Sequence, residues 1–154
     1  MQKDQKKQQL RGVQRLREAT GAGVMECKRA LEEARGDLEG ATRIIHERGL
    51  ARVEKRAGRE TGAGLVESYV HNERIGVLVD VRAETDFVVR SEPFRVLAHE
   101  LAMQIAATNP RDVGELMKQP YIRDEKKTVE DIVKDVIARV GENVRVETFA
   151  RLEV

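Results

Sequence analysis

Apolar residues recur at helical spacing in three short segments near the start of the chain. The apolar positions are Leu10, Val13 and Leu16, then Cys27, Ala30, Leu31 and Ala34, then Leu38, Ala41, Ile44 and Ile45. Gly36 is placed to end the second helix and Asp37 to cap the third. Because short helices with one small apolar face are marginal alone, the three must pack on one another. We therefore predict a three-helix module over residues 1–50, with the Lys- and Gln-rich residues 1–9 frayed.

The pattern changes after this module. Residues 51–63 are charged, interrupted by glycines and poor in large apolar side chains, which predicts a linker that is helical at its start. The composition changes at Leu65, and in residues 75–82 strongly apolar residues alternate with others at the period of a strand. Residues 65–70 and 75–82 therefore predict a hairpin, with its turn at residues 71–74.

Two further helices follow the hairpin. Ser91, with a proline in the next turn, predicts the start of a helix whose apolar stripe ends before Asn109. Residues 111–127 show no clear period and are expected to form a connection. Thr128 and Gly141 predict the two ends of another helix, which carries one apolar face.

The tail of the chain has the alternation of a strand. One face would carry Val144, Val146, Thr148, Ala150, Leu152 and Val154. The other face is charged except for Phe149, which makes Phe149 a candidate for packing against a second chain. The order β-β-α-α-β predicts an α+β core over residues 64–154, a three-stranded antiparallel sheet covered by helices on one face.

Composition narrows the class of protein. The 154 residues are 36% charged and 40% hydrophobic, with a formal net charge of +1, so no global field favours nucleic acid or a membrane. No apolar run approaches the ~18 residues that a membrane span needs. The single cysteine, Cys27, fits a reducing compartment, and we expect a cytoplasmic protein. The basic stretch from Arg52 to Arg59 has interspersed acids and no aromatic ring, which favours a solvated linker over direct contact with nucleic acid.

Catalytic constellations are scarce. His99 and Glu100 begin like a zinc-protease helix, but Met103 stands where the second histidine ligand is needed. Residues 20–23, Thr-Gly-Ala-Gly, fit neither phosphate-loop spacing and indicate a tight turn between helices. Cys27 lies on the apolar face of its helix, which indicates a core thiol. We expect no catalytic residue, no metal and no cofactor.

Thr85, Asp86 and Phe87 directly follow the predicted hairpin and leave two interpretations open. In the first, Thr85 caps a helix, Asp86 is favoured at the positive end of its dipole, and Phe87 folds into the core. In the second, Phe87 is a rigid exposed aromatic with a carboxylate beside it, displayed for a partner. The pattern by itself is compatible with both.

Two longer motifs resemble those of a known family. Residues 16–31, LREATGAGVMECKRAL, closely resemble the N-terminal signature of bacterial elongation factor Ts, and residues 84–88, ETDFV, resemble its second signature. Three shorter segments also fall in the family order, at residues 75–79, 119–122 and 141–143. The resemblance extends from Leu10 to Val154, and two long motifs in the right order make it highly specific.

The resemblance implies a guanine-nucleotide exchange factor that binds elongation factor Tu and promotes GDP release in translation elongation, without being an enzyme. In this family the N-terminal module is ubiquitin-associated-like and contacts the partner's nucleotide-binding domain. The residues implied in that contact are Arg17, Thr20, Gly21, Val24 and Met25. The residues implied to act at the partner's Mg²⁺ and nucleotide site are Thr85, Asp86, Phe87 and Val88. Phe87 would insert between helices of the partner, and Asp86 would disturb the polar network that holds the metal.

Length separates this chain from longer family members. Those carry a second core subdomain and a coiled-coil insertion, whereas residues 111–118 here form a short connection. Short members can pair through their sheets, so the resemblance also implies a possible homodimer. An alternative function is a non-enzymatic peptide- or protein-binding module that uses the N-terminal three-helix unit.

Overall fold

The computed structural model describes the backbone of residues 2–154 and the side chains of residues 7–154. The chain divides into two compact units, residues 1–52 and residues 53–154. The elements in chain order are α1 (Gln2–Thr20), α2 (Val24–Glu33), α3 (Leu38–Arg56), β1 (Ala63–His71), β2 (Ile75–Ala83), α4 (Asp86–Val89), α5 (Glu92–Thr108), α6 (Val113–Lys118), β3 (Pro120–Tyr121), β4 (Asp124–Thr128), α7 (Val129–Val140) and β5 (Val144–Glu153).

The first unit is built from α1, α2 and most of α3, which enclose a small core. Its buried apolar residues are Val13, Leu16, Ala22, Cys27, Ala30, Leu31, Ala41 and Ile45. Arg35 and Gly36 end α2 with positive φ values of 52° and 86°, and the amide of Gly36 donates to the carbonyl of Leu31 at 2.8 Å. This left-handed ending turns the chain back for α3, as the position of Gly36 predicted.

The start of the first helix differs from the pattern-based expectation. The backbone is helical from Gln2, so the fraying expected for residues 1–9 is not observed in residues 2–9, and Met1 lies outside the described residues. The third helix continues to Arg56, in agreement with a linker that was expected to be helical at its start. In both places most residues are charged or polar helix formers, and a helix is extended at small cost once its apolar turns are packed.

The second unit is an α+β layer, so the predicted fold class is confirmed. Three antiparallel strands lie in the order β1-β2-β5. One face of the sheet is covered, mainly by α5, which packs across β1 and β2, and by α7. The residues completely buried between the layers include Val79, Val81, Ala83, Phe94, Ala98, Leu101, Ile105, Leu116 and Val129. Burial of this many apolar side chains is the main term that stabilises the unit.

Helix ends in the second unit follow the local sequence. The hydroxyl of Thr128 accepts from the amide of Asp131 at 3.2 Å, and the carboxylate of Asp131 accepts from the amide of Thr128 at 2.8 Å. These reciprocal bonds form a capping box at the start of α7. Gly141 ends α7 with φ 74°, and Asn109 ends α5 with φ 47°. The predicted ends of both helices are confirmed.

Residues 111–127, expected to be a connection without regular structure, contain α6 and the β3–β4 hairpin. The hairpin is held by Gln104, a completely buried polar residue of α5. Its amide nitrogen donates to the carbonyl of Pro120 at 3.1 Å, and its amide oxygen accepts from the amide of Ile122 at 2.9 Å. The periodicity failed to predict this hairpin because its stability comes from a side chain about 16 residues away.

The alternation of the last strand is broken by an irregularity in its pairing with β2. The register shifts between Asp80 and Val81, so that Asp80 pairs with Thr148 and Val81 pairs with Val146. On one side of the shift the even-numbered residues of β5 therefore face the helices, and on the other side the odd-numbered residues do. Phe149 pairs with the buried Val79 and packs against the core, so the prediction that Phe149 lies on the open face was wrong.

Candidate partner-binding surface

The segment that follows β2 forms α4, a single turn of helix whose start is capped as predicted. The hydroxyl of Thr85 accepts from the amide of Val88 at 3.4 Å, and the carbonyl of Thr85 accepts from the amide of Val89 at 3.3 Å. Asp86 is the first helical residue, where a negative charge is favoured by the exposed amides of the helix start. The helix-start part of the first interpretation of this segment is therefore confirmed.

The exposure of the Phe87 side chain decides between the two interpretations. Its side chain is 86% exposed, whereas Val88 and Val89, the next two residues, are only 4% and 6% exposed. The two valines anchor the turn in the core, and the turn then directs Asp86 and Phe87 to the solvent side by side. Phe87 is therefore displayed and not folded into its own core. Val88 was predicted to contact the partner. Because its side chain is buried, we correct its role to that of an anchor that holds the turn in the core.

Two carboxylates from neighbouring loops hold the entry to α4. Glu142 accepts hydrogen bonds from the amide and the hydroxyl of Thr85, at 3.0 and 2.7 Å. Glu84 accepts from the amide of Asn143 at 2.7 Å and from the guanidinium of Arg56 at 3.1 Å. The pattern of residues did not single out Glu142 or Glu84, because both act through partners that are far away along the chain.

In the first unit, the predicted contact residues lie at the junction of α1 and α2. The hydroxyl of Thr20 donates to the carbonyl of Leu16 at 2.6 Å, and Gly21 has φ 69°, which a side chain would disfavour. Thr20 and Gly21 are half-buried and shape the turn. Val24 and Met25 are 49% and 57% exposed at the start of α2.

Arg17 is exposed in the last turn of α1, and so belongs to the same helix junction. The two helix ends at this junction thus expose two apolar side chains and a guanidinium, groups that are enriched where proteins bind one another. Cys27 is completely buried behind this turn, and burial raises the pKa of its thiol. A raised pKa lowers the thiolate fraction, and Cys27 is part of the core of the first unit, as its position on the apolar face predicted.

The open face of the sheet carries a cluster of exposed apolar side chains, which we call the sheet patch. It consists of Val66 and Val70 of β1, Leu78 of β2, and Ala150 and Leu152 of β5. The register places Leu78 opposite Ala150, and Val66 lies beside Asp80 at the charged end of the face. There the guanidinium of Arg82 donates to Asp80 at 2.8 and 2.7 Å and holds the pKa of that carboxyl below its usual value.

Among the side chains of residues 7–154, no three His, Cys, Asp or Glu residues come together as a set of metal ligands. The described helices include none with the length and apolar character needed to cross a membrane. What the geometry offers is an exposed aromatic ring beside a carboxylate on a turn fixed at both ends, which is the form of a protein-binding anchor.

Comparison with known proteins gives a consistent result. The family model described as "Elongation factor TS" matches residues 84–154. A protein of Thermosipho melanesiensis named elongation factor Ts is 39% identical over 188 aligned positions, which cover 92% of this chain and 96% of that protein. Proteins of the same name from Coprothermobacter proteolyticus and Caldanaerobacter subterraneus are 40% and 41% identical, covering 90% and 92% of this chain and 94% of each relative.

The same comparison shows that this chain is shorter inside the aligned region. A share of 92% of 154 residues is about 142, so about 46 of the 188 positions shared with the Thermosipho protein face gaps in this chain. The relative therefore contains internal residues that have no counterpart here. Those residues do not include the second signature, since the family match spans residues 84–88.

Proposed function

Since this chain belongs to the elongation factor Ts family, and is thus a translation elongation factor, we propose that it is a guanine-nucleotide exchange factor that binds elongation factor Tu and promotes the release of GDP. The observation that carries this proposal is the 86% exposed ring of Phe87 beside Asp86, in the family's second signature. An aromatic residue held this far out of its own fold gains little stability there and is available to a partner.

Exchange by this surface needs no acid, base or nucleophile in this chain. Phe87 enters between helices of the partner and displaces them, and Asp86 brings a negative charge to the polar network around the partner's Mg²⁺. Because that metal bridges the nucleotide phosphates and the protein, disturbing it weakens nucleotide binding. The coupling is reciprocal, so an incoming nucleotide lowers the affinity of the partner for this factor by the same ratio and expels it. The factor is a catalyst of exchange, not an enzyme, and uses no cofactor.

The N-terminal module supplies a second contact. We assign the exposed turn with Arg17, Val24 and Met25 to the nucleotide-binding domain of elongation factor Tu, with Thr20 and Gly21 setting its shape. Val24 and Met25 are each about half exposed, and apolar side chains of this kind add affinity when a partner covers them. Residues 1–50 then act as a binding module, and residues 64–154 form the core that acts on the nucleotide site. We expect the protein to act in the cytoplasm, together with this partner.

The sheet patch supports a further proposal, that two copies of this chain pair through their open sheet faces. Val66, Val70, Leu78 and Leu152 are each more than half exposed on one surface, and they carry no charge. Adjacent exposed apolar residues of this kind mark interaction surfaces on soluble proteins. The proposed pairing surface is therefore the sheet patch. It does not include Phe149, the residue suggested by the sequence, because Phe149 faces the helices.

The rate at which a fluorescent GDP analogue leaves elongation factor Tu tests the exchange function. We expect the wild type to accelerate release and Phe87→Ala to lose about 2 kcal/mol of that effect, a factor of about 30, as for a central aromatic anchor. Val96→Ala is the matched control, because it removes a 53% exposed apolar side chain from α5 of the same unit. Equal acceleration by Phe87→Ala and the wild type would rule out the proposed role of the ring. A chain that binds elongation factor Tu without accelerating release would favour the simple binding module.

Light scattering tests the pairing. We expect a mass of about twice the 17.4 kDa of one chain, and the mass of a single chain for Leu78→Lys, because a charge in the centre of the sheet patch must be desolvated on pairing. Val96→Lys places the same charge on an exposed position of the helical side and should leave the mass unchanged. A single-chain mass for the wild type at the highest soluble concentration would refute the pairing.

A further inference from the structure

Glu142, in the loop after α7, binds the N-cap residue of α4, Thr85, which lies 57 residues away along the chain. Oε2 of Glu142 accepts from the backbone amide of Thr85 at 3.0 Å, and Oε1 accepts from its hydroxyl at 2.7 Å. Both carboxylate oxygens are therefore used on one residue, the cap of the turn that carries Asp86 and Phe87. A bidentate contact of this type fixes orientation as well as distance.

A second set of hydrogen bonds fixes the loop itself. The side-chain amide of Asn143, only 9% exposed, donates to the carbonyl of Arg59 at 2.9 Å. Its backbone amide donates to Glu84, the residue directly before the cap, at 2.7 Å. Glu142 is thus presented by a loop that is anchored on both sides, so its carboxylate has little freedom to follow a moving Thr85.

The turn needs such support because it is short. Four residues, Asp86 to Val89, are far below the length at which a helix is stable alone. Val88 and Val89 anchor the far side in the core. We propose that Glu142 is a positioning residue for nucleotide exchange, which holds the cap of α4 through Thr85 so that Phe87 and Asp86 are presented in the orientation that acts on elongation factor Tu. This inference rests on the exchange function proposed above.

The physical consequence concerns the ordering of the turn. Without Glu142, the segment from Glu84 to Phe87 samples other conformations, and the free energy of ordering it is added to the barrier for inserting the ring. Initial binding through the N-terminal module does not depend on that ordering. The maximal rate of GDP release should therefore fall, while the factor concentration that gives half of the maximal rate changes little.

The test compares Glu142→Ala and Glu142→Gln with Glu130→Gln, which removes a charge from the exposed ion pair of Glu130 with Lys134 on α7. In Glu142→Ala we expect the amides of Thr85 and Val88 to exchange hydrogen about tenfold faster, and the maximal rate of GDP release to fall about tenfold, as for the loss of a hydrogen-bonded charge. Glu142→Gln keeps an acceptor at the same reach and should recover most of both effects. Glu130→Gln should match the wild type.

Several results would overturn the inference. Unchanged amide exchange at Thr85 in Glu142→Ala would show that the contact does not hold the turn. Acceleration of GDP release that depends on Phe87 but not on Glu142 would remove only the positioning role and leave the exchange function in place. No acceleration by the wild type would remove both. A loss in Glu142→Ala that appears only in the half-saturating concentration would assign Glu142 to binding and contradict positioning.

Discussion

Two phenylalanines of the second unit occupy opposite environments, and replacing each by alanine tests the exposure on which the proposed function depends. Phe94, in the first turn of α5, is completely buried, whereas Phe87 is 86% exposed. Truncating a buried phenylalanine removes apolar burial and leaves a cavity, which typically costs 3–5 kcal/mol, so we expect a loss of about 4 kcal/mol for Phe94→Ala.

The expected loss in the free energy of unfolding is small for Phe87→Ala. A phenylalanine buries about 200 Å² when completely enclosed, and about one seventh of Phe87 is covered, so roughly 30 Å² is lost at about 25 cal/mol per Å². The cost is therefore about 0.7 kcal/mol. Alanine has the higher helix propensity by about 0.5 kcal/mol, which offsets most of this loss. We expect the free energy of unfolding to change by less than about 0.5 kcal/mol.

Urea unfolding followed by far-ultraviolet circular dichroism is the assay, because the chain has no tryptophan to report by fluorescence. Hydrogen exchange of the β2 amides assigns the effect to the second unit, since the chain has two compact units and its unfolding need not be two-state. If Phe94→Ala is too unstable to purify, Phe94→Leu gives the same comparison at lower cost. A loss above about 2 kcal/mol for Phe87→Ala would mean that the ring is packed on its own fold, and the reasoning would be wrong.

Two further predictions follow from the hydrogen bonds. Thr128→Ala removes the cap of α7 and should lower the free energy of unfolding by about 1 kcal/mol in the same urea assay, so a neutral result would contradict the capping box. The amide and hydroxyl of Thr128 lower the pKa of Asp131, so the contribution of this carboxylate is complete above the ordinary pKa of an aspartate and is lost as the pH falls through the lowered value. The stability difference between the wild type and Thr128→Ala should therefore shrink in strong acid but not vanish, because the hydroxyl still accepts from the amide of Asp131. Burial and the hydrogen bond to Glu100 raise the pKa of Tyr121 to about 12, so absorbance titration should show one late tyrosine ionisation that Tyr121→Phe removes. A late ionisation that persists in Tyr121→Phe would contradict the contact with Glu100.

Local features of the fold were predictable from the residues themselves. The caps at Thr85 and Thr128 and the glycine ending at Gly141 depend on a few neighbouring residues, whose hydrogen-bonding groups determine where a helix starts and stops. The alternation in residues 75–82 predicted a strand for the same reason, since the side-chain period of a strand is a local property, and the strand is confirmed in its pairing with β1.

Features that depend on distant partners were not predictable in this way. The β3–β4 hairpin is held by Gln104 of α5, and its own residues show no periodicity that predicts it. Phe149 was assigned to the wrong face because one shift in the pairing of β5 with β2 reverses every later side chain. Strand pairing is decided by the partner strand as well as by the strand itself.

The sequence alone determined the class of fold, the capped ends of α4, α5 and α7 and, through two long motifs, the family. It did not decide whether the ring of Phe87 is buried or exposed, because a capped helix start is compatible with a ring that points inward or outward. Only the tertiary structure decided for the outward ring, since Val88 and Val89 occupy the core and Glu142 fixes the cap from 57 residues away. Exposure is a property of how the whole chain packs around a residue, and the residues beside it in the sequence are too few to determine it.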